Sequence, residues 1–331
     1  MKVKMFFRAF LSAFMVFIFF NFALAEEITA PSAVAVDAQT GKILYGKNPH
    51  LKLAPASTTK LVTAMVALEN LSPEKKVKIS NKAAKTQSVS PKLTAGEIYT
   101  VRDLVYLALM RSVNSATVAL AEAVSGNEKD FVKLMNDKVK KIGANDTRFV
   151  NSSGLPGKGQ YTTAYDLTKI MAHALSYPLI KEAINTRVYL VRSEEGREHF
   201  IQNTNHLLWS EDNMIGGKTG YTRTAKHCFV SASRVGNRLI YTAVLGEANR
   251  DKLWQDTQQL IVKADTILSG KGEPIVHLTE EKPIVKASYK YKSVNNIAEK
   301  QKIKSKKTSK NKGKKLKNKR TKNASNNTKS I

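Results

Sequence analysis

The order in which helical and extended patterns follow one another most restricts the fold of this 331-residue chain. Two short β-prone runs at 32–36 and 42–45 are joined by turn formers, which predicts a hairpin. Helical periodicity then dominates to about residue 175, and strand patterns from Val188 onward lead to a last apolar helix near 253–268. Segregated strands and helices predict an α+β or mixed architecture with an antiparallel sheet, rather than a repeating βαβ fold.

The first 25 residues have the pattern of a secretory signal peptide. Basic residues precede an apolar stretch at 9–20, and Ala23-Leu24-Ala25 places small residues at the cleavage positions. The alternative is an uncleaved membrane anchor, because 9–25 is nearly long enough to span a bilayer. Both interpretations predict export to the periplasm, another part of the cell envelope or its extracellular face.

The basic residues are concentrated at the C-terminal end. From Lys300 to Lys329 there are 14 Lys or Arg and no Asp or Glu, and removing these 14 from the net charge of +27 leaves +13. Few apolar residues occur there, so burial cannot offset the entropy of ordering and the sequence predicts a disordered tail. The tail would either remain solvated or contact anionic membrane lipids or wall polymers, and export disfavours nucleic acid as its partner.

These features divide the chain into a signal peptide (1–25), a globular domain (26–270), a linker (271–299) and a Lys-rich tail (300–331). The single cysteine, Cys228, excludes an intramolecular disulfide and lies in an apolar run, so we expect it to pack as a small buried hydrophobe. The six histidines lack the spacing of zinc ligands, and no metal site is predicted.

Three short motifs follow one another along the globular domain: Ser57-Thr58-Thr59-Lys60, Ser112-Val113-Asn114 and Lys218-Thr219-Gly220. A serine hydroxyl at the start of a helix is first of all a capping candidate. It becomes a nucleophile when a base takes its proton, and residues three apart on a helix share a face, so Lys60 can be that base for Ser57. Burial or a nearby cation such as Lys218 would lower the pKa of Lys60 as this role requires.

The second and third motifs offer the other groups that acyl transfer needs. Ser112 can relay a proton to a leaving amine, and the Asn114 amide can bond to substrate backbone or to Lys60. Lys218 and Thr219 on a strand edge can bind a substrate carboxylate, while Gly220 lets the substrate backbone approach closely. Backbone N–H groups near Ser57 and just beyond the third motif would form an oxyanion hole.

Together the motifs resemble the signature of penicillin-binding proteins and serine β-lactamases. The chain is similar to low-molecular-weight D-alanyl-D-alanine carboxypeptidases over about 31–268, including Ala54-Pro55-Ala56, Gly96-Glu97, 151–156 and Gly216-Gly217. The resemblance implies a β-lactamase/transpeptidase-like fold, in which an antiparallel sheet is flanked by helices and joined by a helical subdomain. It also makes 26–270 a serine D,D-peptidase catalytic domain.

The resemblance further implies hydrolysis of the terminal D-Ala-D-Ala bond of peptidoglycan stem peptides through an acyl-enzyme, a part in peptidoglycan synthesis and cell shape, and acylation by β-lactams. No cofactor is implied. Matching motif to motif makes Ser57 the nucleophile and Lys60 its base, with Ser112 and Asn114 as the second pair. Lys218 and Thr219 then bind the substrate carboxylate.

The chain departs from the family pattern in two places. Val113 and Ser115 stand where the family usually has Gly and Asp, which affects the expected shape of the cleft and the rate but not the mechanism. After Gly270 there is too little patterned sequence for the small β-rich domain and anchoring helix of many relatives.

Other functions use similar motifs. A class A β-lactamase is disfavoured because no Glu-x-x-Leu-Asn arrangement lies between Asn114 and Lys218. A D,D-endopeptidase that cleaves peptidoglycan cross-links would carry nearly identical motifs and remains an alternative. A non-catalytic scaffold that binds wall peptides is disfavoured because all three motifs keep their functional side chains.

Overall fold

The computed structural model describes residues 27–279. Its strands are β1 (Ser32–Asp37), β2 (Ile43–Lys47), β3 (Lys76–Lys78), β4 (Ile98–Thr100), β5 (Val188–Arg192), β6 (Glu198–Gln202), β7 (Met214–Thr222), β8 (Lys226–Val235), β9 (Arg238–Glu247) and β10 (Ile275–His277). Six of them form one sheet in the order β10-β2-β1-β9-β8-β7, antiparallel except for the β10–β2 pair. The predicted N-terminal hairpin is confirmed by the pairing of β1 with β2.

The helices are α1 (Lys60–Asn70), α2 (Asn81–Lys85), α3 (Val101–Leu109), α4 (Asn114–Ser125), α5 (Glu128–Lys141), α6 (Ala164–Ala174), α7 (Pro178–Asn185), α8 (Leu207–Ser210) and α9 (Arg250–Leu268). Two threonines, Thr162 and Thr163, precede α6, and either could cap it. Thr163 fills that position, since its Oγ1 accepts a hydrogen bond from the backbone N–H of Asp166 at 3.0 Å.

The large sheet is covered on both faces, and strand alternation sorts its side chains between two apolar clusters. In β1, Val34 and Val36 pack with the helical subdomain formed by α1 to α7, whereas Ala33 and Ala35 pack with α9. The α+β architecture with a helical subdomain, expected from the sequence, is therefore confirmed. Cys228 lies fully buried in the first cluster, as predicted.

Ser57 does not cap a helix, contrary to the prediction. It is the second residue of a short 3-10 helix, Ala56–Thr59, which begins after Pro55 and leads directly into α1. The hydroxyls of Thr58 and Thr59 bond to the carbonyls of Pro55 and Ala56 at 2.7 and 2.8 Å. These neighbours fix the turn, so the Ser57 hydroxyl is left to face Lys60.

The sheet continues past the predicted domain boundary at 270. β10 pairs with β2 in a register that places Ile275 opposite Tyr45. The predicted signal peptide, the remainder of the predicted linker and the predicted tail lie outside the described residues. Among residues 27–279, no helix combines the length and apolar character that crossing a bilayer requires.

Candidate active site

The first motif forms a direct contact between its serine and its lysine. Lys60 Nζ lies 2.8 Å from Ser57 Oγ, because one turn separates the two side chains at the junction of the 3-10 helix and α1. Lys60 is fully buried. Its ammonium form is therefore poorly solvated, and this burial, together with the charge of Lys218, holds the pKa of Lys60 well below its ordinary value. Both causes that the sequence predicted for the lowered pKa of Lys60, burial and the charge of Lys218, are present, and burial has the larger effect.

A loop distant in sequence holds the second contact of Lys60. The carbonyl oxygen of Ser153 accepts a hydrogen bond from Lys60 Nζ at 2.6 Å. Asn151 shapes this loop, since its Oδ1 accepts from the backbone N–H of Gly154 at 2.8 Å. Glu128 at the start of α5 anchors it by accepting from the backbone N–H and the hydroxyl of Ser152 at 3.0 and 2.6 Å.

Gly154 brings this loop onto the serine turn. Its φ of +81° is a left-handed conformation, and a Cβ there would lie 1.8 Å from the carbonyl oxygen of Ala56. The sequence drew attention to 151–156 through the family resemblance without assigning a role to any of these residues. Turn formers were the available signal, but they do not reveal that a carbonyl of the loop contacts a buried lysine.

Ser112 lies on the connection between α3 and α4, and its hydroxyl faces the third motif. Lys218 Nζ donates to Ser112 Oγ at 3.2 Å and to the carbonyl of Thr219 at 2.8 Å. The backbone of Ser112 is left-handed, with φ +67°, which costs a residue with a Cβ about 1–3 kcal/mol. The surrounding structure therefore stabilises this backbone conformation of Ser112.

Lys218 is a second buried lysine near Lys60. It lies on β7, the edge strand of the large sheet, as the strand-edge prediction required. Burial lowers its pKa from 10.5 to about 7. Lys218 is therefore partly protonated near neutral pH, and an anion bound beside it would favour its charged form.

Gly220 permits a close approach of the serine turn, and the predicted approach of a substrate backbone stays a prediction. A Cβ at this position would lie 2.9 Å from the backbone nitrogen of Ser57 and 2.9 Å from Ala56 Cβ. The missing side chain therefore lets β7 pack against the serine turn itself. This packing brings the strand edge beyond the third motif next to the N–H of Ser57, as an oxyanion hole of two backbone N–H groups requires.

Asn114 begins α4, and its side-chain amide donates to a loop rather than to Lys60. Its Nδ2 donates to the carbonyl of Gln87 at 2.7 Å, and its backbone N–H donates to Ser88 Oγ at 2.8 Å. A contact of Asn114 with substrate backbone stays a prediction. The neighbouring departures from the family pattern, Val113 and Ser115, are both buried, and among residues 27–279 the hydroxyl of Ser115 has no hydrogen-bond partner.

Thr219 contacts a residue that the sequence did not single out. Its Oγ1 lies 2.6 Å from the Oγ1 of Thr204, which follows β6. Thr204 also bonds to the carbonyl of Met110, two residues before Ser112, so one threonine touches the segments of both the second and third motifs. A lone hydroxyl in a loop gives no sequence signal of this kind.

The described residues thus combine a serine, a lysine base with lowered pKa, a second hydroxyl and a buried cation beside a free strand edge. These groups can carry out acyl transfer, with the strand edge available to an extended peptide. Within 27–279, no cluster of three or more His, Cys, Asp or Glu side chains is arranged to hold a metal ion.

The sequence and the fold are both similar to known proteins. A family model described as D-alanyl-D-alanine carboxypeptidase matches residues 21–249. The chain is 33% identical to the D-alanyl-D-alanine carboxypeptidase DacF of Bacillus subtilis, over 85% of this chain and 77% of that protein. It is also 33% identical to a D-alanyl-D-alanine endopeptidase of Escherichia coli, over 76% of this chain and 85% of that protein.

Solved structures give the same picture. A D-alanyl-D-alanine carboxypeptidase from Mycobacterium tuberculosis is 30% identical, with a TM-score of 0.67 over 71% of this chain and 90% of that one. The DD-transpeptidase of a Streptomyces strain is 29% identical, with a TM-score of 0.68 over 72% and 97%. The expected β-lactamase/transpeptidase-like fold is therefore confirmed.

Proposed function

This chain belongs to the D-alanyl-D-alanine carboxypeptidase family of serine hydrolases, and on that basis we propose that Ser57 is its acylated nucleophile. The chain is a penicillin-binding D-Ala-D-Ala carboxypeptidase that acts on peptidoglycan stem peptides. The observation that carries the assignment of the serine is the 2.8 Å contact of Ser57 Oγ with a buried lysine of lowered pKa.

The proposed first step forms an ester. Neutral Lys60 takes the proton of the Ser57 hydroxyl while the oxygen attacks the carbonyl carbon of the penultimate D-alanine. The carbonyl electrons move to oxygen, and the backbone N–H of Ser57 and one at the edge of β7 stabilise the resulting anion. Lys218 and Thr219 hold the carboxylate of the terminal D-alanine.

Collapse of the tetrahedral intermediate breaks the C–N bond and sends its electrons to the leaving nitrogen. The Ser112 hydroxyl donates its proton to that nitrogen and accepts, in exchange, the proton that Lys60 took from Ser57. Free D-alanine leaves. Water, activated by neutral Lys60, then attacks the ester, and the products are the shortened peptide carboxylate and Ser57. In a β-lactam the same attack opens the ring, but the leaving nitrogen remains attached to the acyl group.

The test uses purified protein, a synthetic peptide ending in D-Ala-D-Ala, and a fluorescent penicillin. We expect release of free D-alanine and covalent labelling, both abolished in Ser57→Ala and both retained in Ser176→Ala, a control at an exposed serine. A label that survives in Ser57→Ala would refute the assignment of the nucleophile.

One observation favours a second activity. The endopeptidase of E. coli is as similar in sequence as the carboxypeptidase of B. subtilis, at 33% identity for each. We therefore propose D,D-endopeptidase activity as the alternative. It is tested by incubating the protein with cross-linked muropeptide dimers in parallel with the linear peptide. Loss of cross-links without free D-alanine would favour the endopeptidase, whereas free D-alanine alone favours the carboxypeptidase.

We also propose that the protein is exported and that its tail holds it at an anionic surface. The support is the pattern of 1–25 and the 14 basic residues between Lys300 and Lys329. A polybasic segment gains about 1 kcal/mol per Lys or Arg near such a surface. Truncation after Ala298, or replacement of the tail lysines by Gln, should release the protein from the envelope fraction, as high salt should. Unchanged association would refute this attachment.

A further inference from the structure

Thr204 forms a short chain of hydroxyl groups with Thr219. The two Oγ1 atoms are 2.6 Å apart, and Thr204 Oγ1 lies 3.2 Å from the carbonyl oxygen of Met110. The backbone N–H of Thr204 donates to that same carbonyl at 3.0 Å. Both threonines are partly exposed, so a ligand at the strand edge can reach Thr219.

Each hydroxyl carries one hydrogen, which limits this chain to two arrangements. If Thr204 donates to Met110, then the hydrogen between the two hydroxyls must come from Thr219. If Thr204 instead donates to Thr219, then the Thr219 hydrogen is free to point at a ligand. The second arrangement is the one that an anion requires.

We propose that Thr204 is a positioning residue that switches Thr219 into the donor arrangement when a carboxylate binds. The Thr204 hydrogen turns from the Met110 carbonyl to Thr219 Oγ1, and the Thr219 hydrogen turns to the carboxylate. The Met110 carbonyl keeps the backbone N–H of Thr204, so the switch leaves no acceptor unsatisfied. The donated bond also polarises the Thr219 hydroxyl and strengthens its own bond to the anion.

The backbone of Thr204 is held in place while its hydroxyl turns. Asn203 and Asn205 on either side are buried, and Asn203 Nδ2 donates to the carbonyl of Thr186 at 2.9 Å. Asn203 Oδ1 accepts from the N–H of Asn205 at 3.0 Å. Rotation of the two threonine hydroxyls, without movement of the backbone, is therefore what the switch needs.

This inference rests on the proposed role of Thr219 in binding the substrate carboxylate. Its test compares Thr204→Val, which keeps the shape of the side chain, with Thr204→Ser, which keeps the hydroxyl. The acylation rate is measured with a penicillin and with its methyl ester, which lacks the anion. Since one charge-assisted hydrogen bond is weakened, we expect Thr204→Val to lower kcat/KM about 10-fold for the penicillin, mainly through KM, and to change the ester little.

Three comparisons test the role of Thr204: Val against Ser at this position, the single against the double variant, and the acid against the ester. Thr204→Ser should restore most of the rate, and Thr204→Val should have no further effect in a Thr219→Val background. Equal losses on acid and ester, or additive effects in the double variant, would overturn the inference. If Thr204→Val does not fold, Thr204→Ala is measured in its place. An unlabelled wild-type protein would refute the proposed function and this inference together, whereas a labelled wild type with an unaffected Thr204→Val refutes this inference alone.

Discussion

The Nζ of Lys60 lies 2.6 Å from the carbonyl oxygen of Ser153, a residue 93 positions further along the chain. A neutral amine has two hydrogens and one lone pair, so a hydrogen donated to this carbonyl restricts the lone pair to the two remaining tetrahedral directions. Ser57 Oγ occupies the other side at 2.8 Å. The Ser153 carbonyl thus orients the amine so that it can accept the proton of the proposed nucleophile.

Gly154 provides the first test of how the Ser153 carbonyl is held against Lys60, because it packs the same loop onto the serine turn. We predict that Gly154→Ala lowers the free energy of unfolding by more than about 3 kcal/mol, because a left-handed Ala costs about 1–2 kcal/mol and the 1.8 Å clash adds to it. Acylation by penicillin should slow at least 10-fold. Urea denaturation and the labelling rate measure the two effects.

Gly159 is the matched control. Its φ of +80° equals that of Gly154 within a degree, but a Cβ there would meet its nearest atom, on Arg148, at 3.9 Å. Gly159→Ala should therefore carry the backbone cost of about 1–2 kcal/mol and leave the acylation rate unchanged. Equal effects of the two substitutions would show that the contact with Ala56 does not matter.

Glu128 provides a second test, because it anchors the loop that carries the Ser153 carbonyl. Glu128→Ala removes the acceptor of both Ser152 hydrogen bonds, and we expect a loss of about 1–3 kcal/mol in stability with slower acylation. Lys82→Ala removes a cation that lies 3.8 Å from Glu128 on an exposed surface and should change stability by less than about 1 kcal/mol. Both are measured by chemical denaturation. A larger effect of Lys82→Ala would assign the stabilisation to the ion pair instead.

The contrast between local and distant contacts explains what the sequence could predict. Ser57 and Lys60 are three residues apart, so helix geometry alone brings them together. The edge position of the third motif was expected from the role of Lys218 and Thr219 in carboxylate binding, and no strand pattern over these residues indicated it. The hairpin, the longer helices and strands such as β8 and β9 were long enough for their periodicity to be recognised, which is why the fold class was predictable.

The remaining features depend on contacts that side-chain patterns do not encode. Any residue has a carbonyl, so nothing marks Ser153 as the partner of Lys60. Gly220 indicated a close approach, but a glycine does not specify whether a substrate or the Ser57 turn approaches. β10 is three residues long and gives no measurable period.

Cys228 offers a test of how firmly β7 is attached to the sheet. It lies opposite Gly220 in the β7–β8 pairing, and burial raises the pKa of its thiol to about 12. Since thiolate is the reactive form, we predict that iodoacetamide at pH 8 modifies the native protein on the order of 1,000-fold more slowly than the urea-unfolded chain. Rapid labelling without unfolding would show that this edge opens readily.

The pH dependence of acylation follows from Lys218. Its pKa of about 7 means that the free protein loses this cation as pH rises through 7. Because the cation binds the carboxylate in the proposed mechanism, kcat/KM for a penicillin should fall above pH 7, by up to 10-fold per unit. The ester should not fall in this range. At low pH both ligands should react slowly, since protonated Lys60 cannot act as a base.

Lys218→Arg separates this effect from other titrations. A guanidinium stays charged throughout the accessible range, so the variant should lose the decline above pH 7 even if its greater size lowers the maximal rate. The acid limb should remain, because Lys60 is unchanged and a cation still stands beside it. Stopped-flow measurements of acylation between pH 5 and 10 give both limbs. If the alkaline decline persists in Lys218→Arg, then a group other than Lys218 controls carboxylate binding, and the lowered pKa of this lysine has no part in substrate recognition.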